Sequence, residues 1–233
     1  MKNFWNEEVM QIPVCQELVK NWEIIKEEAL FFLSNQNPNT KNGKSTTLLT
    51  SRFIKIPEVK DNKITDNLIY LSDKGNWEVA YIASNKIRQN AGEFNDLNKF
   101  YQKITVRNTG RTIEENADYA IECFKTFNKI VNEMCPDKVS ACSISLVSPG
   151  TYISPHFGSS GFLRCHLCLV NDDQCIITVG HETKKWEEGK ILAFKDGGPY
   201  PHSVVHSGTK DRIVIIFDID FDYAREYINS PYL

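Results

Sequence analysis

The stretch VSACSISLVSPGTYISPHFGSSGFLRCHLCLV, Val139 to Val170, decides the fold. Runs rich in Val, Ile and Leu alternate with small polar residues, and Pro149-Gly150 and Ser160-Gly161 break them at turn-forming dipeptides. Such a text reads as short antiparallel strands rather than helix, because the apolar period is close to two. The same grammar continues to the end of the chain in QCIITVG, GKILAF and DRIVIIFDI, with turn signals at Asn171-Asp172-Asp173, Glu188-Gly189, Gly197-Gly198-Pro199 and Ser207-Gly208. Strands recurring every 8 to 12 residues or so predict a sandwich or barrel, and a jelly-roll type, cupin-like barrel fits best.

Upstream of Val139 the grammar is mostly helical. From Cys15 to Leu33 the apolar residues Val19, Trp22, Ile25, Leu30 and Leu33 recur at helical spacing, and Gln16, Lys20, Glu23, Lys26 and Glu27 fill the intervening positions. Asn, Gly and Lys dominate the following stretch, Ser34 to Thr46, and predict a surface loop. DKGNWEVAYIA predicts a strand around Trp77, Val79 and Tyr81. Thr112 and Glu115 form a capping box that opens a second helix, with Tyr119, Ala120, Cys123, Phe127, Ile130 and Met134 on its apolar face and Cys135-Pro136 closing it. Each helix carries one apolar stripe, which must be covered, so both are expected on the outer face of one sheet. The fold class is therefore mainly β with flanking helices (α+β). It is one domain: a helix-rich part over 1–138, a barrel core over 139–220 and a tail over 221–233.

Composition excludes several classes. The 233 residues are 41% hydrophobic and 11% aromatic, with a net charge of −3 and no basic block. A nucleic-acid surface needs clustered Lys and Arg, so no nucleic-acid partner is expected. The first residues, MKNFWNEEVMQIPVC, lack the apolar core of a signal peptide, and no run approaches the roughly 20 apolar residues that span a bilayer. A cytoplasmic protein without membrane contact is the expectation. The seven cysteines are odd in number and scattered, as for buried thiols in a reducing compartment. Cys165 and Cys168 form a C-x-x-C, which elsewhere marks zinc or redox sites. Within the strand LRCHLCLV, however, Arg164, His166 and Cys168 share one face and Cys165, Leu167 and Leu169 the other, which separates the two sulfurs.

Histidine is the informative residue: His156, His166, His181, His202 and His206 account for all five, and the first 155 residues contain none. His156 ends a predicted strand and precedes a loop of small residues. His202 lies at another strand edge, with His206 as its competitor in the same segment. Ten residues past His202, Arg212 opens the apolar strand RIVIIFDI. Two neutral imidazoles bind a divalent first-row metal, and a guanidinium among buried apolar residues needs an anion. A dicarboxylate would satisfy both. His181 stands among turn residues and reads as a solvated loop histidine.

These residues resemble the aspartyl/asparaginyl β-hydroxylases, Fe(II)- and 2-oxoglutarate-dependent oxygenases built on a double-stranded β-helix. The likeness is carried by ELVKNWEIIKEEAL, KGNWEVAYI, SISLVSPGTYISPHFG, RCHLCLV, ETKKWEEGKILAF and the interval from His202 to Arg212. The resemblance implies His156 and His202 as iron ligands and Arg212 as the partner of the distal carboxylate of 2-oxoglutarate. It implies Ser145, Arg164 and His166 as further cosubstrate contacts, and O2 as oxidant, with succinate and CO2 released. The substrate it implies is an aspartyl or asparaginyl residue, or a related amino-acid, peptide or protein substrate. Gly158 stands where a 2-His-1-carboxylate triad places its acid. Glycine there is the family's own pattern, and it also keeps open a halogenase that admits chloride. Phe162 stands where an arginine for an acidic substrate would be expected, leaving Arg88 and Arg107 as candidate cations. A non-catalytic β-barrel binding module is the remaining alternative.

Overall fold

The computed structural model of the chain describes residues 2–34, 49–50, 55–82, 120–158 and 160–233. Helix α1 (Pro13–Lys20) starts on a proline, whose missing N–H costs nothing at a helix start. Helix α2 (Trp22–Ser34) follows directly. The single predicted helix is thus interrupted at Asn21, whose side-chain amide donates to the Glu17 carbonyl at 2.8 Å and competes with the helical ladder. Its buried stripe is Val14, Cys15, Leu18, Ile25, Ala29 and Phe32, whereas Leu30, expected inside, is exposed. Strand β1 (Leu49–Thr50) leads to β2 (Lys55–Lys60), β3 (Lys63–Tyr70), β4 (Ser72–Lys74) and β5 (Trp77–Tyr81). Helix α3 (Lys125–Met134) buries Phe127, Ile130 and Val131 and ends at Cys135, as the sequence predicts. The capping box at Thr112 and Glu115, the loop residues 35–46, Tyr119, Arg88 and Arg107 lie outside the described residues.

The remaining strands are β6 (Val139–Val147), β7 (Tyr152–His156), β8 (Phe162–Val170), β9 (Cys175–Val179), β10 (Glu182–Lys185), β11 (Ile191–Lys195), β12 (His202–His206) and β13 (Arg212–Asp220). A short helix α4 (Phe221–Arg225) closes the chain, capped by the Asp220 carboxylate, which accepts from the amides of Asp222 and Tyr223. One sheet has the order β1-β5-β6-β13-β8-β11 and the other β10-β9-β12-β7-β4. From β6 to β9 and again from β10 to β13, each strand crosses to the opposite sheet, the connectivity of a double-stranded β-helix. The barrel draws β1, β4 and β5 from before residue 139 in addition to the strands after it. The hairpin β2–β3 also went unread, although Lys60-Asp61-Asn62-Lys63 turns tightly with positive φ at Asp61 and Asn62, the conformation of a type I′ turn.

Strand alternation divides the core in two. Cys142, Ile144, Leu163, Cys165, Leu167, Ile213, Ile215 and Phe217 face outward and pack with the helices. Val147, Cys168, Ile177, Leu192, Phe194, Val204, Val214 and Ile216 face inward and fill the barrel. Cys165 and Cys168 therefore lie in different cores, and both are free thiols. The segment before α1 covers the β11 edge: Trp5 N–H donates to the Ala193 carbonyl at 2.8 Å, and the Asn6 side chain accepts from Ala193 N–H at 2.9 Å.

Candidate metal and cosubstrate site

Strand register brings the histidines together. His202, first in β12, pairs across the antiparallel ladder with His156, last in β7. Side chains at directly opposed positions share a face and touch, and here the ring centroids are 4.1 Å apart. His156 Nδ1 lies 2.7 Å from the Ser154 carbonyl. A carbonyl only accepts, so Nδ1 carries the proton and Nε2 keeps its lone pair for a metal. His202 presents Nε2 3.5 Å from Asp196 Oδ1, and its buried Nδ1 has no hydrogen-bond partner. Burial, with help from the Arg164 cation, lowers the His156 pKa to about 4. Burial, with His156 and Arg164 nearby, also holds His202 well below the ordinary histidine range. Both rings are neutral at pH 7, the state in which imidazole ligates.

His206 is used differently. Its Nδ1 accepts from Gly208 N–H at 3.2 Å, and its Nε2 donates to the Lys210 carbonyl at 2.7 Å. Both nitrogens are spent on the β12–β13 turn. His181 is exposed in a turn, edge-on to Tyr200.

Deeper in the barrel stands Arg212, 2% exposed. Its guanidinium carbon sits 4.7 Å from the centre of the Trp186 ring, and neither Nε nor Nη1 has a hydrogen-bond partner. Trp186 also stacks on His166, with centroids 6.0 Å apart and planes 10° from parallel, and donates Nε1–H to His166 Nδ1 at 3.3 Å. That fixes the tautomer: Nδ1 accepts, so Nε2 carries a proton, and it too is buried without a partner. Burial and the Arg212 cation keep the ring neutral. Ser145 is fully buried on the inner face of β6, and its hydroxyl oxygen accepts from Trp77 Nε1–H at 3.0 Å. Trp77 and Trp186 lie in phrases whose pattern the sequence made conspicuous, without revealing what the rings do.

Arg164 departs from its expected part. Its Nε and Nη2 donate to the two oxygens of Asp218 at 2.8 and 2.7 Å, and its Nη1 pairs with Asp196 Oδ2 at 2.6 Å. The guanidinium is held by two buried acids, where the sequence suggested a cosubstrate carboxylate. Neither acid was foreseen. Asp218 was readable, since it shares the inward parity of Arg212, Val214 and Ile216 along β13, and a lone acid on an inward face calls for a cation. Asp196, in KDGG, looked like an ordinary turn residue. Phe162 opens β8, partly buried. Among the described residues no three His, Cys, Asp or Glu side chains converge to cage a metal.

Comparison with known proteins follows the same lines. The family model described as aspartyl/asparaginyl beta-hydroxylase matches residues 19–221. Aspartate beta-hydroxylase domain-containing protein 2 of Mus musculus is 38% identical over 84 residues, covering 34% of this chain and 24% of that protein. The Homo sapiens aspartyl/asparaginyl beta-hydroxylase is 40% identical over 77 residues, 32% of this chain and 10% of that one. The ornithine lipid ester-linked acyl 2-hydroxylase of Rhizobium tropici is 32% identical over 84 residues, 34% of this chain and 29% of that one. The matched stretch spans about a quarter of the length of the first of these relatives.

Proposed function

Since the chain belongs to the aspartyl/asparaginyl β-hydroxylase family, we propose that it is an Fe(II)- and 2-oxoglutarate-dependent hydroxylase, with His156 and His202 as the iron ligands. The observation that carries this reading is the set of buried donors without partners beside a neutral histidine pair. Arg212 Nε–H and Nη1–H and His166 Nε2–H all lack acceptors. A buried guanidinium with no carboxylate partner is too costly to keep without a purpose, and a dicarboxylate repays it.

The residues fit the groups. His156 and His202 would hold iron through neutral nitrogens, His156 with its tautomer set by the Ser154 carbonyl. Arg212 would take the far carboxylate of 2-oxoglutarate, its guanidinium held over the Trp186 ring with Nε and Nη1 left to donate. Ser145, its oxygen already engaged by Trp77, has its O–H left to donate into the same interior. His166 adds a neutral N–H donor. Arg164 acts indirectly, through the acids it holds. Iron with 2-oxoglutarate and O2 supplies oxygen insertion into a C–H bond, with succinate and CO2 released. The inward-facing apolar residues exclude water from that chemistry. The substrate proposed is an aspartyl or asparaginyl residue or a related amino-acid or peptide group. The relative named for a lipid acyl chain makes acyl-bearing substrates the second class to screen.

Anaerobic addition of Fe(II) and 2-oxoglutarate to the folded protein should produce a weak visible charge-transfer band that needs both. A folded protein without that band would sink the proposal. Succinate release across free amino acids, Asp- and Asn-containing peptides and acyl conjugates would then name the substrate.

A further inference from the structure

The glycine two residues past His156 leaves no gap. A Cβ built on Gly158 would lie 1.7 Å from Oδ2 and 2.2 Å from Cγ of Asp196. The backbones are also tied, Gly158 N–H donating to the Asp196 carbonyl at 3.0 Å. Asp196 reaches in from the segment joining β11 to β12, has no exposed surface, and sets Oδ1 3.5 Å from His202 Nε2. Its aim is fixed by Arg164, whose Nη1 grips Oδ2 at 2.6 Å while Nε and Nη2 clasp Asp218. Register accounts for this arrangement: on its two ladders Arg164 stands opposite Phe194 of β11 and Asp218 of β13.

We propose that the Asp218–Arg164–Asp196 relay is a selectivity device. The Asp196 carboxylate occupies the place beside the two histidines that a halide would need, and so keeps chloride from the metal and commits the site to oxygen transfer. The inference rests on the metal reading above and deepens it. Glycine at this position, read in sequence alone, leaves room for a halide; in the fold, that room holds an acid from another strand. Two effects act together. The volume is filled, and a fixed negative charge opposes a second anion where water cannot screen the two. Arg164 offers the halide no attraction in return, because two carboxylates already surround it. Asp196 and the histidines do not close into a three-donor cage among the described residues, which suits a gate standing beside the metal. Arg164 is a positioning residue that acts through Asp196.

The test uses the full chain loaded anaerobically with Co(II) and 2-oxoglutarate and titrated with sodium chloride at constant ionic strength, read by the visible Co(II) spectrum. The wild type should give its Co(II) band and no saturable response to chloride. Asp196→Ala should respond with chloride binding tighter by about tenfold or more, the size of a one-unit electrostatic coupling. Asp196→Asn keeps the shape without the charge and serves if the alanine variant does not fold; it too should bind chloride more tightly than wild type. Arg164→Gln should become responsive by releasing Asp196. Returning the carboxylate to its other address, Asp196→Gly with Gly158→Asp, should abolish the response. The relay proposal is overturned by a saturable chloride response in the wild type, by folded Asp196 variants that match the wild type, or by a double variant that still responds. A folded wild type with no Co(II) band at all brings down the metal reading, and this inference with it, so the two failures are distinct.

Discussion

At the scale of single residues, His202 and His206 differ in what their nitrogens are committed to. Four residues apart on one strand, they look alike in sequence, and only hydrogen bonding separates them. His206→Ala should lower the urea midpoint, since it strips two hydrogen bonds by which a buried ring ties down the β12–β13 turn, yet leave Co(II) binding intact. His202→Ala should abolish Co(II) binding at stoichiometric metal, and retention of binding would move the ligand role elsewhere. Arg212 offers a sharper contrast. Arg212→Leu should remove saturable 2-oxoglutarate binding while making the metal-free protein more stable by about 1 kcal/mol, because the variant buries an apolar side chain in place of an under-bonded cation. Isothermal titration and urea denaturation on the same sample decide it. A loss of stability matching the loss of binding would mean that Arg212 is structural. Sequence made this residue legible because a lone cation opening an apolar strand has few explanations. It left Asp196 illegible, since its neighbours in sequence are turn residues and its neighbours in space come from β8, β12 and the loop after β7.

At the scale of elements, the strands after Val139 were predictable because alternation and turn dipeptides repeat there without interruption. Of the earlier strands β5 was legible in DKGNWEVAYIA, but β1 and β4 were not, because they are only two and three residues long and take their place from partners distant in sequence. Helix boundaries were blurred for a local reason, the Asn21 side chain competing with the helix backbone. How the helical layer docks is visible at Gly189. This turn residue between β10 and β11 has φ +76, and a Cβ there would meet the Trp22 ring of α2 at 2.8 Å. Gly189→Ala should therefore cost about 1–3 kcal/mol, through backbone strain and displacement of the helix. A thermal melt checks the cost. The effect belongs to the outer core, so 2-oxoglutarate affinity of the remaining folded protein should stay within about twofold, a change of under 0.5 kcal/mol. A selective loss of affinity without a loss of stability would show that the outer core and the barrel interior are coupled more tightly than their separate side-chain clusters indicate.

At the scale of the whole molecule, placing three histidines inside one barrel ties folding to pH. His156 is lowered to about 4, and His166 and His202 are held well below the ordinary value of 6.5, chiefly by burial. Above pH 6.5 these rings are neutral whether the chain is folded or not, and they contribute no pH dependence. As pH falls through 6.5 the unfolded chain takes up protons that the folded barrel refuses, so stability falls, by at most about 1.4 kcal/mol per pH unit for each ring. The loss continues until the folded rings themselves titrate, near pH 4 for His156. The metal-free urea midpoint should thus be level from pH 7 to 8 and decline steadily between 6.5 and 4. Bound metal, which selects the folded chain with neutral rings, should raise the midpoint throughout that range and be displaced only when protons compete for the folded ligands. A metal-free midpoint that stays level down to pH 4.5 would mean that the rings are protonated in the fold. The neutral pair on which the iron assignment depends would then be lost with it.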